Sequence, residues 1–199
     1  MEQSIQWNST LYINFIVFEK SFDNVDRAIL WKLLRHCGGP DKIISLIQCT
    51  YEDLSCKIAY AGQLSETFKV KTGVCQGCLL SPFHFLLVID WIMKTTTTGR
   101  NNKSQWTLWT QLDDLNFPDD LALLSHSHSQ MQDKTTHLET VSAGTGLKIN
   151  GKKTELMKID STVNTPVTVG GEPIREVDSF FYLGSAIDRQ GGHRQRCHS

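Results

Sequence analysis

An α+β domain, with a mainly antiparallel sheet and helices packed on one face, is the fold this sequence predicts. Three observations carry the prediction. LYINFIVF, at 11–18, is a charge-free run of β-branched and aromatic residues, the composition of a buried strand. Val25, Ile29, Leu30, Leu33 and Leu34 then recur at helical spacing. Beyond them, turn residues break the chain into an order of strand, helices, hairpin, helix, hairpin, helix and strands.

The elements follow in order. In FDNVDRAILWKLLRHCGG, Asp23 or Asn24 can cap a helix whose first turn holds Asp26, and Gly38-Gly39-Pro40 stop it. A second helix, over about 41–53, buries Ile43, Ile44, Ile47 and Leu54. SCKIAYAGQLSETFKVKTGV reads as a hairpin turning near Ala61-Gly62. GVCQGCLLSP leads into an apolar helix, FHFLLVIDWIMK, and the polar tract at 95–105 reads as a loop. TLWTQLDDLNF and LALLS form a strand–turn–strand unit, and a weaker helix covers about 128–143. GLKING, KKTELMKID and TPVTVGGEPI give short strands and turns, and DSFFYLGSAID gives a final strand or hairpin.

Composition narrows the function classes. Of the 199 residues, 40% are hydrophobic and 21% charged, as in an ordinary globular domain. No apolar run reaches the roughly 18 residues of a membrane span, and the N-terminus lacks a signal-peptide pattern. An intracellular chain with reduced thiols is expected, with no membrane partner. Six cysteines show no disulfide framework; Cys75 and Cys78 form one C-x-x-C without the second ligand pair that structural zinc needs. They read as ordinary packing thiols. With 20 basic and 21 acidic residues, the net charge is −1, so the chain lacks the basic excess of a protein that grips phosphates by itself.

The densest chemistry lies in Phe117-Pro118-Asp119-Asp120, where adjacent carboxylates sit between two apolar runs. Asp-Asp pairs are common in turns, but flanking strands would hold this one rigidly enough for a divalent cation. Asp113 and Asp114 precede it. A joint acidic cluster of the kind used by allylic-diphosphate enzymes needs long helices, and this stretch has a β pattern.

FEKSFDNVDRAILWKLL, KTGVCQGCLLSPFHFLLVIDWIM, LDDLNFPDDLALLS, GLKINGKKTELM and FFYLGSAID occur in that order. Together they resemble the reverse transcriptase domain of non-LTR (LINE-type) retrotransposons, over about residues 12–192. The resemblance implies a polymerase palm with part of the fingers and no thumb. Such a palm joins a primer 3′ hydroxyl to the α-phosphate of a deoxynucleotide triphosphate on an RNA or DNA template, using two Mg²⁺ ions. It divides the chain into a tail at 1–10, a palm-like domain at 11–192 and a divergent tail at 193–199.

Residue by residue, the resemblance is uneven. Where family members read F-I-D-F-E-K, this chain reads F-I-V-F-E-K, so Val17 falls on a metal-binding aspartate. Glu19 should point to the same side but starts two residues farther on. Asp119 and Asp120 match the hairpin carboxylates that bind metal, with Pro118 in place of alanine. Phe22 matches the aromatic that screens out a 2′ hydroxyl, and Gln76 and Gly77 the segment that packs on the nucleotide. Lys153 matches the lysine that protonates pyrophosphate, with Lys152 as the alternative. Tyr182, Leu183 and Gly184 match the hairpin that positions the primer, and Cys75 stands where arginine is usual.

Each also has a plainer reading: Phe22 as core, Gln76-Gly77 as a helix-entry turn, Lys153 as a solvated lysine, Tyr182 as a strand aromatic, Val17 as a buried strand residue. Valine cannot ligate Mg²⁺, and loss of a shared ligand should cost at least about 10²–10³ in rate. Pro118 removes a backbone N–H and fixes φ beside the pair. Fingers segments before residue 11, thumb helices after 192 and an endonuclease domain find no match. For HRQRCHS, suitable codons read one base later give T-D-R-D-V-T, close to the family's continuation, which points to a frameshift near residue 192. The expectation is an inactive, truncated copy of the polymerase. The alternatives are a non-catalytic nucleic-acid- or RNP-binding remnant and a translated fragment without function.

Overall fold

The computed structural model describes residues 10–195 apart from 76, 98–103, 106–110, 113, 117–120, 162, 183–184 and 190–192. The chain opens with β1 (Leu11–Ile16) and the helices α1 (Ser21–Asn24), α2 (Arg27–His36) and α3 (Asp41–Tyr51). The short strands β2 (Ser55–Cys56), β3 (Ala59–Tyr60), β4 (Gln63–Leu64) and β5 (Phe68–Lys69) precede α4 (Ser81–Thr97). Next come β6 (Ser104–Gln105), β7 (Gln111–Leu112), β8 (Asp114–Asn116), β9 (Leu121–Ser125) and α5 (His128–Ala143). The remainder is β10 (Glu155–Ile159), β11 (Thr168–Val169), β12 (Glu172–Pro173), β13 (Arg175–Glu176), β14 (Ser179–Tyr182), β15 (Ser185–Asp188) and β16 (His193–Gln195).

The central sheet has five strands in the order β13-β10-β1-β9-β8. β1 pairs antiparallel with both β10 and β9, and the β10–β13 pair is parallel. Every residue of β1 is buried, which its uncharged sequence permits. Strand alternation divides those side chains between two cores. Tyr12 and Ile16, with Leu121, Leu123 and Leu156, meet the helices; Leu11, Ile13 and Phe15, with Ala122, Leu124 and Met157, face the opposite way. Asn14 sits on the helical side without exposure, and its Nδ2 donates to Thr135 Oγ1 of α5 at 3.0 Å.

The helices lie on one face, as expected. The other face is covered by the β14–β15 hairpin, whose Phe180 and Ile187 pack on the second core. Phe180 stacks on Phe15 with ring centroids 3.7 Å apart. Tertiary packing therefore makes β1 a strand buried on both sides, as its continuous apolar run requires.

Several local expectations need correction. The cap of α2 is Asp26, not Asp23 or Asn24: its carboxylate accepts from the Ala28 and Ile29 N–H groups. Ser21–Asn24 form their own short helix, and Val25 separates the two as a fully buried residue. On α3, Ile44 and Tyr51 are buried while Ile43 is half exposed, because the buried stripe is narrower than the apolar sequence. α4 runs on through Thr95–Thr97, which were expected in a loop. Thr96 is buried, and its Oγ1 bonds back to the Ile92 carbonyl at 2.8 Å, so a threonine run is accommodated in a helix. The start of the 193–199 tail is strand β16, paired with β15. Turn chemistry was legible: Ala61 and Gly62 take φ of 50° and 78° between β3 and β4, the double positive φ of a tight hairpin.

Candidate active site

The site is built where β1 ends. The last described pair between β1 and β9 is Ile16 with Leu121, the residue directly after Asp120 in the chain. Val17 follows Ile16, half-buried and just beyond the strand. Its N–H donates to Thr154 Oγ1 at 3.3 Å, and its carbonyl accepts from the Asn150 N–H at 2.7 Å. Farther on, Phe18 bridges Ile149, and the Glu19 N–H donates to the Lys148 carbonyl at 2.8 Å. The end of β1 is thus laced to the segment that enters β10.

Asp119 and Asp120, with Phe117 and Pro118, lie outside the described residues, as do Gln76, Leu183 and Gly184. The strands that the acidic stretch joins are described. β8 and β9 pair antiparallel through Asn116 and Leu121, so four residues connect them, and those four are Phe117 to Asp120.

Among the described residues, the end of β1 offers no carboxylate to a metal. Val17 carries no oxygen ligand. The Glu19 carboxylate meets the Lys148 ammonium at 3.7 Å and lines a cleft of about 970 Å³ with Lys148, Lys152 and Gly170. Among the described residues no group of three or more His, Cys, Asp or Glu side chains is placed to hold a metal ion.

The lysines sit in a tight turn. Asn150 Oδ1 accepts from the Lys152 and Lys153 N–H groups, each at 3.2 Å, and the Asn150 carbonyl accepts from Thr154 at 2.9 Å. Both lysines are exposed. Lys153 directly precedes the Thr154 that binds Val17, which brings its backbone to the end of β1. Lys152 lines the Glu19 cleft and Lys153 does not. Neither Asn150 nor Thr154 was singled out from sequence. The Asn-Gly dipeptide at 150–151 signalled the turn, whereas Thr154 had no local signal.

Phe22 and the segment before Gly77 are brought together. Phe22 is half-buried and stacks on Phe85 of α4 with centroids 4.7 Å apart. Its carbonyl accepts from the Val74 N–H at 2.7 Å. A Cβ on Gly73, whose φ is +76°, would stand 2.4 Å from that carbonyl oxygen, so only glycine permits this approach. Arg27 secures the segment from the other side. Its guanidinium donates to the carbonyls of Gly73 at 2.8 Å, Tyr51 at 3.2 Å and Thr72 at 3.3 Å, and lies 4.9 Å from the Tyr51 ring centroid. Burial pulls the Arg27 guanidinium below its ordinary value. Arg27 reaches across more than forty residues of sequence, which is why no motif revealed it. Gly77 has φ +85° in the turn before α4, with open space where a side chain would start.

Tyr182 closes β14 opposite Ser185 of β15. This hairpin packs on the sheet face that carries Ile13 and Phe15, the face that strand alternation extends toward Val17.

The thiols differ from expectation. None of the described cysteines is a packed core residue: Cys37, Cys49 and Cys78 are exposed, and Cys56 and Cys75 are half-buried. Cys56 lies on the short strand β2 and Cys49 near the end of α3, away from the central sheet.

A family model for reverse transcriptase (RNA-dependent DNA polymerase) matches residues 3–187. A retrovirus-related Pol polyprotein from a type-2 retrotransposable element of Drosophila melanogaster is 30% identical over 178 residues, which is 88% of this chain and 16% of that protein. A Pol polyprotein from a type-1 retrotransposable element of Popillia japonica is 24% identical over 182 residues, 86% of this chain and 30% of that protein. The chain therefore spans less than a third of the length of these curated relatives. Among solved structures, apo telomerase from Candida tropicalis superposes with a TM-score of 0.67 at 14% identity, over 98% of this chain and 38% of that one. Telomerase from Candida albicans gives 0.63 at 12% identity, over 98% and 32%. These likenesses establish the α+β fold. With the family model spanning most of its length, the chain belongs to the reverse transcriptase family, with a domain of the non-LTR, LINE-type retrotransposon kind.

Proposed function

We propose that residues 11–192 are a reverse transcriptase palm that has lost RNA-directed DNA polymerase activity. The observation that carries this is Val17 at the end of β1, one residue past the Ile16–Leu121 pair. In the family, Asp119, Asp120 and a carboxylate at position 17 would hold Mg²⁺; here the third member is a hydrocarbon. Glu19 starts two residues farther along the chain, and its carboxylate meets the Lys148 ammonium at 3.7 Å. By resemblance to the family, the other matched residues keep their roles. Phe22 and Gly77 would contact the deoxynucleotide together with Gln76, Lys153 would serve the pyrophosphate, and Tyr182, Leu183 and Gly184 would position the primer.

Primer extension on a homopolymer template with Mg²⁺ or Mn²⁺ tests the reading. The wild-type chain is expected to give no product, and product from it would overturn the proposal. Val17→Asp combined with Pro118→Ala is expected to restore extension. Failure to restore would assign the loss to parts of the relatives that this chain does not span. Gel shifts with a template-primer over a salt series distinguish a binding remnant, which gives a salt-dependent complex, from a chain that binds nothing.

A further inference from the structure

α4 is apolar on both sides. Its inner side carries the buried Phe85, Val88, Ile89 and Ile92. Its outer side carries Phe83 and Leu86, 57% and 43% exposed, and the half-buried Leu87 and Trp91. Leu79 and Leu80, 97% and 44% exposed, stand just before the first turn. The first charges on this side are Asp90 and Lys94, bonded to each other at 2.7 Å toward the C-terminal end. A helix facing water carries polar residues on its outer side, and one that is apolar all round is a covered helix. A contiguous exposed apolar patch of this kind marks an interaction surface.

An apolar groove continues the face. α2 packs beside α4. The groove between them, of about 600 Å³, is lined by Leu33 and Cys37 on the α2 side and by Leu87, Trp91 and the Asp90–Lys94 pair on α4. Positions 79, 83, 87, 90 and 94 recur at the spacing of one helical stripe. A protruding leucine and a groove able to receive one therefore lie on the same stripe, about 15 Å apart along the helix.

We propose that the occupant of this face is a second copy of the chain. Two α4 helices run antiparallel across a two-fold axis between Phe83 and Leu86, and Leu79 of each copy enters the groove of the other. Self-complementarity selects a second copy over an unrelated partner. Knob and hole belong to one surface, and a two-fold rotation satisfies both at once. The area sets the strength. α2 and α4 side by side outline roughly 450 Å² per copy. The pair then covers about 900 Å² in total, at the small end of specific interfaces, so the association is reversible. The same geometry sets Cys78, exposed and adjacent to Leu79, at the other copy's groove, where the exposed Cys37 lies.

Sedimentation velocity of the reduced full chain over a concentration series tests the association, and thiol cross-linking tests its geometry. A monomer–dimer equilibrium is expected. Leu79→Asp should weaken it by at least about tenfold, as for a central apolar anchor, and leave the far-ultraviolet circular dichroism spectrum unchanged. Cys37→Ser and Cys78→Ser chains are treated with a short bis-maleimide, separately and mixed, and linked peptides are mapped by mass spectrometry. Only the mixture can join Cys37 to Cys78, and that link is expected to be its main cross-link between chains. A chain that stays monomeric throughout the series would overturn the proposal and assign the face to another occupant. A dimer left intact by Leu79→Asp, or a mixture without the Cys37–Cys78 link, would overturn it too. So would open-ended oligomers, because a two-fold contact closes at two copies.

Discussion

The backbone N–H of Val17 donates to the hydroxyl of Thr154 across 3.3 Å, joining the end of β1 to the residue before β10. Thr154 has no exposed surface, so this hydroxyl is the buried partner for a strand end that has left the ladder. Thr154→Val keeps the shape and removes the acceptor, leaving the Val17 N–H unpaired. The expected loss is about 1–3 kcal/mol in urea unfolding, and smaller for Thr154→Ser. A Thr154→Val variant as stable as the wild type would show that the bond contributes nothing.

The missing carboxylate predicts a metal response separate from catalysis. Thermal melts of the wild-type chain should not shift with millimolar Mn²⁺. Those of Val17→Asp with Pro118→Ala should rise, by the equivalent of about 2.7 kcal/mol when metal reaches a hundredfold excess over its dissociation constant. A wild-type shift of equal size would mean that position 17 is not where the metal ligand was lost.

Two glycines of one segment separate steric fit from backbone strain. Gly73 has φ +76°, and an added Cβ would stand 2.4 Å from the Phe22 carbonyl oxygen; Gly77 has φ +85° and nothing within 4 Å. Gly77→Ala should therefore cost only the left-handed conformation, about 1 kcal/mol. Gly73→Ala should cost more, at least about 2 kcal/mol, because α1 and the loop at Val74 must move apart. Equal losses in denaturant melts would remove the claim that Phe22 and this segment are tightly apposed.

His84 predicts a pH dependence. It is fully buried, its Nε2 has no hydrogen-bond partner among the described residues, and its Nδ1 lies 3.4 Å from the Tyr51 hydroxyl. Burial lowers its pKa from the ordinary 6.5. The unfolded chain therefore binds this proton more readily than the folded one. The stabilisation is fully present above pH 6.5 and is lost as the pH falls toward the lowered folded value. Melting temperature should drop between neutral pH and about pH 5 in the wild type, and drop less in His84→Phe. Parallel pH profiles would assign the dependence to other groups.

Much of the fold was legible because it rests on local pattern. The uncharged run at 11–18 marks the central strand, helical spacing marks α2, and Ala61-Gly62 marks a hairpin turn. Capping was misread because Asp23, Asn24 and Asp26 are all competent caps. The choice fell to Asp26 once burial of Val25 and the bond from the Asp26 N–H to the Thr145 carbonyl broke the helix before it. Ile43 was placed in the core for a similar reason, since apolar character does not say which edge of a stripe a neighbouring helix covers.

For the candidate site, sequence by itself determined chemical identity: a hydrocarbon at 17, carboxylates at 119 and 120, and a proline at 118, because these are properties of residue types at fixed positions in an ordered motif set. Only the tertiary structure decided what surrounds them. It bound Val17 to Thr154 and Asn150, committed Glu19 to Lys148, and pressed Gly73 against Phe22. Each of these contacts joins residues far apart in the chain. Their closure depends on the packing of the whole sheet and its helices, which no local pattern encodes.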